Sequence, residues 1–258
     1  MQMVTLHDSV TCLDIGNSTS HLGIYKDGEL INEDRIASSS LVNNPNQIFD
    51  KYDFSKFPLS YCSVLPQAEN SLLKYLSFKM VEAFNLNHTT IGNFPITYPH
   101  PEEIGQDRLA NSFAVFHSTD SPCIVVDVGT ATTFDIVTKT GGYEGGVIAP
   151  GPQGFLDFLS QNTALLPQVN IKDYIPESLI GKETKQAMLI GAKFGHIAMK
   201  EGIITKLIME IENRFLQSPK VILTGGACTK SNLSDIEYCP SLTIFGLALA
   251  FQYNKSNT

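Results

Sequence analysis

Two aspartates, Asp14 and Asp127, each close an apolar run and are followed at once by glycine and small hydroxyl side chains, LDIGNSTSH at 13–21 and VDVGTATTFD at 126–135. A carboxylate holds cations, glycine lets a ligand reach the backbone, and hydroxyls contact phosphate oxygens or a hydrated cation without bulk. Taken singly, either stretch is equally a turn whose aspartate accepts its own backbone N–H groups. The two lie 113 positions apart, and an Asp-x-Gly turn recurring between two extended apolar runs suggests a duplicated unit. Two such turns facing each other across a cleft would cradle a polyphosphate from both sides. Neither GxxxxGK[ST] nor GxGxxG occurs in these segments, so no P-loop or Rossmann fingerprint competes.

A third candidate is PEEIGQDRLANSFAVF, 101–116. Leu109, Phe113 and Phe116 recur at helical spacing, which puts Gly105 just outside a helix and Asp107 in or beside its first turn. There Asp107 either complements the helix dipole, with Arg108 a solvated charge, or serves one reacting group while Arg108 grips another. GGYEGGVIAPGPQGF, 141–155, reads as a rigid glycine-rich loop open to close approach, or as a plain turn. TGGACTKS, 224–231, is a strand-to-helix turn or a flat glycine floor under a nucleotide base. The six histidines form no metal spacing, and His21 and His100 read as plain polar residues. The five cysteines, at 12, 62, 123, 228 and 239, include no CxxC and are odd in number, so they read as reduced structural thiols.

The elements that must position these residues alternate. Strands are expected at 11–15 and 20–25, a hairpin at KDGE before 30–31, and a helix opened by Asn44 and Pro45. LSYCSV, 59–64, reads as a buried strand, followed after Pro66 by a helix reaching VEAF. CIVVDV, 123–128, and FDIV, 134–137, repeat the strand pair of the N-terminal half. A helix is expected over 183–217, broken near Gly202, with Gly191 and Gly195 on one packing face. VILTGG, 221–226, is a last strand, and LTIFGLALAF reads as strand then helix. The whole is an α/β protein of two halves, 1–117 and 118–258.

Composition narrows the class. With 43% hydrophobic residues in 258, the chain can bury a real core. A net charge of −8, pI about 5.2 and dispersed Lys and Arg argue against nucleic acid as a partner. The start MQMVTLHDSV has no basic region before an apolar core, and no apolar run approaches a membrane span of roughly 18 residues, so a cytoplasmic protein is expected.

In order along nearly the whole chain, LDIGNSTSHLGIY, PEEIGQDRLAN, IVVDVGTATTFDIV, GGYEGGVIAPG, IGKETKQAMLIG and VILTGGA resemble the type III pantothenate kinases, members of the acetate and sugar kinase, Hsp70 and actin superfamily. The resemblance implies a duplicated actin-like (ribonuclease H-like) fold with ATP between the halves. It also implies ATP-dependent phosphorylation of pantothenate to 4'-phosphopantothenate, the first step of coenzyme A biosynthesis. By motif match it assigns ATP contacts to Asp14, Ile15, Gly16, Asn17, Ser18, Thr19, Ser20, His21 and Thr130, with Asp14 associated with Mg2+ through water. Asp127 matches a monovalent cation ligand for K+ or NH4+, and Asp107 the proposed general base. Tyr98, Gly105, Gln106, Asp107, Arg108 and Thr184 match pantothenate-binding positions, and the family is homodimeric. Three positions depart from the family's usual residues: Ser18 where Thr is frequent, Gln106 where Ala is common, and His100 in place of Asn. The ten residues before the first motif are longer than usual. The alternatives are a non-catalytic ATP-binding regulator or a kinase of the same superfamily with another small acceptor.

Overall fold

The computed structural model describes residues 6, 9–173, 178–228 and 236–256. Positions 229–231 of the TGGACTKS stretch and most of the N-terminal extension lie outside them. The chain divides into two compact units. One runs to Asp120 and includes Val137–Glu144 and the segment from Ser241; the other comprises Ser121–Ile136 and Gly145–Pro240.

In the first unit Val10–Ile15 (β1), Thr19–Lys26 (β2) and Glu29–Ala37 (β3) form an antiparallel meander. Leu59–Ser63 (β4) and Ala83–Asn85 (β5) extend it in parallel beyond β1, giving the order β3-β2-β1-β4-β5. Side chains alternate across a strand, so Leu13 and Ile15 enter a core with Leu41, Phe49, Leu72 and Tyr75 from the helices Ser38–Asn43 (α1), Pro45–Phe49 (α2) and Pro66–Lys79 (α3). Asp14 is thereby turned to the other face. The helix after Pro66 stops short of VEAF because Met80 adopts φ 55° and the N–H of Val81 reaches back to the Leu76 carbonyl, a C-terminal cap. Residues 83–85 are then free to pair with β4 as β5.

On that other face lies Gln106–Ser118 (α4), whose Leu109, Ala110, Phe113 and Ala114 are buried. The tip of the next hairpin is pinned to this unit at Gly142, where φ 61° and the crowding Pro95 carbonyl leave no room for a side chain. The Tyr143 N–H then donates to Pro95 O, and the Thr97 N–H to Tyr143 O.

The second sheet contains Cys123–Val128 (β6), Ala131–Thr138 (β7), Gly142–Pro150 (β8), Lys220–Thr224 (β9) and Ile236–Tyr238 (β10) in the order β10-β9-β6-β7-β8. Raising each strand number of the first sheet by five reproduces this order, so the duplication suggested by two short motifs extends to the topology. Pro152–Asn162 (α5) and Thr184–Phe215 (α6) belong to the second unit. Val126, Val128 and Phe134 pack against Ile204 and Ile211 of α6.

Three expectations change. The glycine-rich run after Gly141 is mostly a strand, β8, before α5 begins at Pro152. Helix α6 runs unbroken through Gly202, where the missing side chain faces open space and costs only about 1 kcal/mol of propensity. LTIFGLALAF is entirely within the helix Leu242–Ser256 (α7). A short buried apolar run has no period that separates strand from helix, and here packing decides. Gly246 lies against the Ala110 carbonyl of α4, Thr243 Oγ1 donates to Asn111 Oδ1 at 2.9 Å, and Ser60 Oγ of β4 donates to Leu247 O at 3.0 Å. Among the described residues no helix is long and apolar enough to cross a membrane.

Candidate active site

The first group stands at the carboxyl ends of β1 and β4. Asp14, last but one in β1, pairs in register with His21 on β2 and Cys62 on β4. The buried Cys62 thiol donates to Asp14 Oδ1 at 3.5 Å. Beyond it the turn is tied down from α1: Ser38 Oγ donates to Gly16 O at 2.6 Å and shares a hydrogen bond with Ser20 Oγ at 2.8 Å, and the Ser38 N–H reaches Ser18 O. This leaves Asn17, Ser18 and Thr19 exposed at the tip. Ile15 is in the core, Ser20 faces Ser38, and His21 holds Glu33 through Nε2 at 2.5 Å.

Asp107 is the second residue of α4, as the spacing suggested. Its Oδ1 accepts the Arg108 N–H at 2.8 Å, which satisfies one of the donors a helix start leaves open. Gly105, the residue before the helix, leaves the space this carboxylate needs: a Cβ there would stand 2.6 Å from Oδ1. Burial pushes the Asp107 carboxyl up, against the opposing pull of the Arg108 N–H and guanidinium. The dipole expected to keep it ionised therefore works against desolvation. Gln106 turns inward, its Oε1 accepting from the Ser63 N–H at 2.8 Å and from Asn85 Nδ2 at 3.1 Å.

Arg108 and Tyr98 converge on a residue that sequence reasoning passed over. The Arg108 guanidinium lies 5.7 Å from the Tyr143 ring, and Tyr98 meets that ring edge-on at 6.0 Å. Tyr143 is buried, held between the glycines of β8 and the Pro95–Thr97 segment. A tyrosine inside GGYEGG gave no signal while the run read as a loop.

The second group belongs to the second unit. Asp127, last but one in β6, lies beside Gly225, which has φ 98° and where a Cβ would clash with both Asp127 Oδ1 and the Val128 carbonyl oxygen. The turn Gly129–Thr130 is braced from β8 and α6. The Gly151 N–H donates to Thr130 O at 3.1 Å, Thr132 Oγ1 to Pro150 O at 3.3 Å, and buried His196 Nε2 lies 2.9 Å from the same Thr132 hydroxyl. Thr130 stays exposed at the tip. Fully buried Lys200 is one helical turn beyond His196, and Cys228 feels the charges of both Lys200 and Asp127. Thr184 is the exposed first residue of α6.

Arranged so, the first unit presents two carboxylates of different setting, one at a strand end with an exposed hydroxyl turn and one partly desolvated at a helix start beside an arginine. The second presents a carboxylate and a carbonyl oxygen packed closely on a glycine, and a braced Gly-Thr turn. These are parts for phosphoryl transfer to a small acceptor.

Similarity to known proteins agrees. The sequence model of the type III pantothenate kinases matches residues 10–206. A type III pantothenate kinase of Methylacidiphilum infernorum is 37% identical over 218 residues, 83% of this chain and 76% of the relative. Among solved structures, a Baf family protein from Campylobacter jejuni superimposes with a TM-score of 0.57 at 18% identity, covering 96% of this chain and 100% of that one. A Sinorhizobium meliloti protein described as a 2-dehydro-3-deoxygalactonokinase gives 0.55 at 13% identity, covering 95% and 96%. With its duplicated actin-like sheets and a family match over most of its length, the chain belongs to the type III pantothenate kinases.

Proposed function

We infer that the protein is an ATP-dependent phosphotransferase that phosphorylates the primary hydroxyl of pantothenate, giving 4'-phosphopantothenate for coenzyme A biosynthesis. The observation that carries this reading is Asp107: a partly desolvated carboxylate at the start of α4, beside Arg108 and the Tyr98–Tyr143 pair, in a chain of this family.

Asp107 orients the acceptor hydroxyl and takes its proton as the oxygen attacks the γ-phosphorus. The transition state of such a transfer is loose, so positioning and charge compensation do most of the work. We assign Tyr98, Gly105, Gln106, Arg108 and Thr184 to acceptor binding, with Arg108 suited to the pantothenate carboxylate. The stretch from Asp14 to His21 and Thr130 meet ATP, the exposed hydroxyls and glycine N–H groups facing phosphate oxygens while Ile15, Ser20 and His21 hold the turn's shape.

Asp14 suits a divalent ion held by one carboxylate, phosphates and water. When bound, Mg2+ offsets the charge of the phosphate oxygens. Asp127 Oδ1 and Val128 O, both close to Gly225, are hard oxygen donors of the kind that hold K+ or NH4+. We further propose a homodimer located in the cytoplasm.

The test is ADP release with and without pantothenate, in potassium and in sodium. Release should require pantothenate and rise strongly in potassium. No release with pantothenate in either salt would point to another acceptor or to a regulator, and equal rates in the two salts would remove the cation role of Asp127.

A further inference from the structure

The residues assigned to the metal side and to the proton acceptor, Asp14 and Asp107, sit on different elements, β1 and the first turn of α4. Nothing in either element alone fixes their separation. The end of β4 lies between them.

Cys62 and Ser63 are consecutive, and each reaches one of the two. The Cys62 thiol donates to Asp14 Oδ1 at 3.5 Å, across the β1–β4 pair where the two residues are in register. The Ser63 N–H, left over where β4 ends, donates at 2.8 Å to Gln106 Oε1, on the residue before Asp107. A second donor, Asn85 Nδ2 on β5, holds the same oxygen at 3.1 Å, so two neighbouring strands of the sheet grip the first turn of α4. The Ile15 carbonyl adds a third tie, accepting the Val64 N–H at 3.0 Å just beyond. Resting on the roles given above to Asp14 and Asp107, we propose that the Cys62–Ser63 end of β4 sets the distance between these carboxylates, with Cys62 and Gln106 as positioning residues for the phosphoryl transfer.

The chemistry of each group suits this task. Cys62 is fully buried, so its bond to Asp14 is shielded from competing water. The Gln106 amide oxygen reaches the β4 terminus, a contact that an alanine there would not make.

The experiment compares Cys62→Ala, Cys62→Ser and Gln106→Ala with the unaltered protein. It measures kcat, KM for pantothenate, and the rise in thermal midpoint on adding Mg-ATP. Losing one such hydrogen bond should lower kcat about threefold to tenfold in Cys62→Ala and in Gln106→Ala. The Mg-ATP thermal rise should shrink in Cys62→Ala, and Cys62→Ser, whose hydroxyl still donates, should restore both readouts. In Cys62→Ala, KM for pantothenate should stay near normal. Cys62→Ala equal to the unaltered protein, or Cys62→Ser as impaired as Cys62→Ala, overturns the proposal, the latter because size and not the donor would then matter. An unaltered protein without pantothenate-dependent ADP release would instead defeat the assignment of the reaction, a separate failure.

Discussion

Asp107 illustrates how one carboxylate acquires a role from its surroundings. Burial raises its pKa, while the Arg108 N–H and guanidinium limit the rise. As a base it works only when ionised, so activity should be lost as pH falls through a value above the ordinary aspartate figure of about 4. Asp107→Asn should lower kcat on the order of 10²- to 10⁴-fold with ATP binding retained. A pH profile of kcat/KM together with an ATP titration of the variant checks both points. An Asn variant with near-normal turnover would take the proton-accepting role from Asp107. The motif made this residue visible because its helical spacing and acidic position occur within one short stretch. Cys62 and Tyr143 were not visible in the same way. A cysteine inside LSYCSV reads as one more apolar strand residue, and its bond to Asp14 exists only once β4 lies in parallel register with β1. Tyr143 acquires meaning only when Pro95 and Thr97 pair with it.

At the scale of elements, the Gly129–Thr130 turn is legible as a turn, but what makes it rigid comes from positions well along the chain. His196 is 64 residues from Thr132, and periodicity says only that it sits on a helix. Thr132 Oγ1 lies 3.3 Å from Pro150 O and 2.9 Å from His196 Nε2, so one hydroxyl ties the turn to both β8 and α6. Burial, and then Lys200, lowers the His196 pKa and keeps the ring neutral at physiological pH. His196→Ala should therefore loosen the turn and raise KM for ATP about threefold to tenfold, with a smaller effect on kcat. His196→Asn, which retains an N–H donor, should fall between. Steady-state kinetics at varied ATP decide the matter; a loss confined to thermal stability with KM unchanged would make the contact purely structural. The strand pattern of the first sheet was readable for a different reason: its hairpin and its alternation lie within consecutive residues. LTIFGLALAF was misread because its state depends on α4, more than a hundred residues earlier.

The whole molecule repeats one strand order twice, and this explains why a pair of Asp-x-Gly turns predicts an architecture: each turn sits at the end of the central strand of its own sheet, β1 or β6. What a repeated order does not specify is association between copies of the chain, and here the surface of the second unit is informative. Ile148 on β8, Phe158 on α5 and Phe194 on α6 are 64%, 65% and 43% exposed, and α5 packs directly on α6. Exposed large apolar side chains are the kind of surface that association covers. The homodimer proposed above would cover these three with a second copy. Sedimentation should then give twice the 28.3 kDa chain mass at micromolar concentration, and Phe158→Glu with Phe194→Glu should shift the equilibrium towards monomer by placing charges in the contact. Because both substitutions fall on exposed positions, the fold should tolerate them, and an unchanged circular dichroism melt would separate dissociation from unfolding. A wild-type protein that sediments as a monomer, or a double variant that stays dimeric, would place the contact elsewhere or remove it.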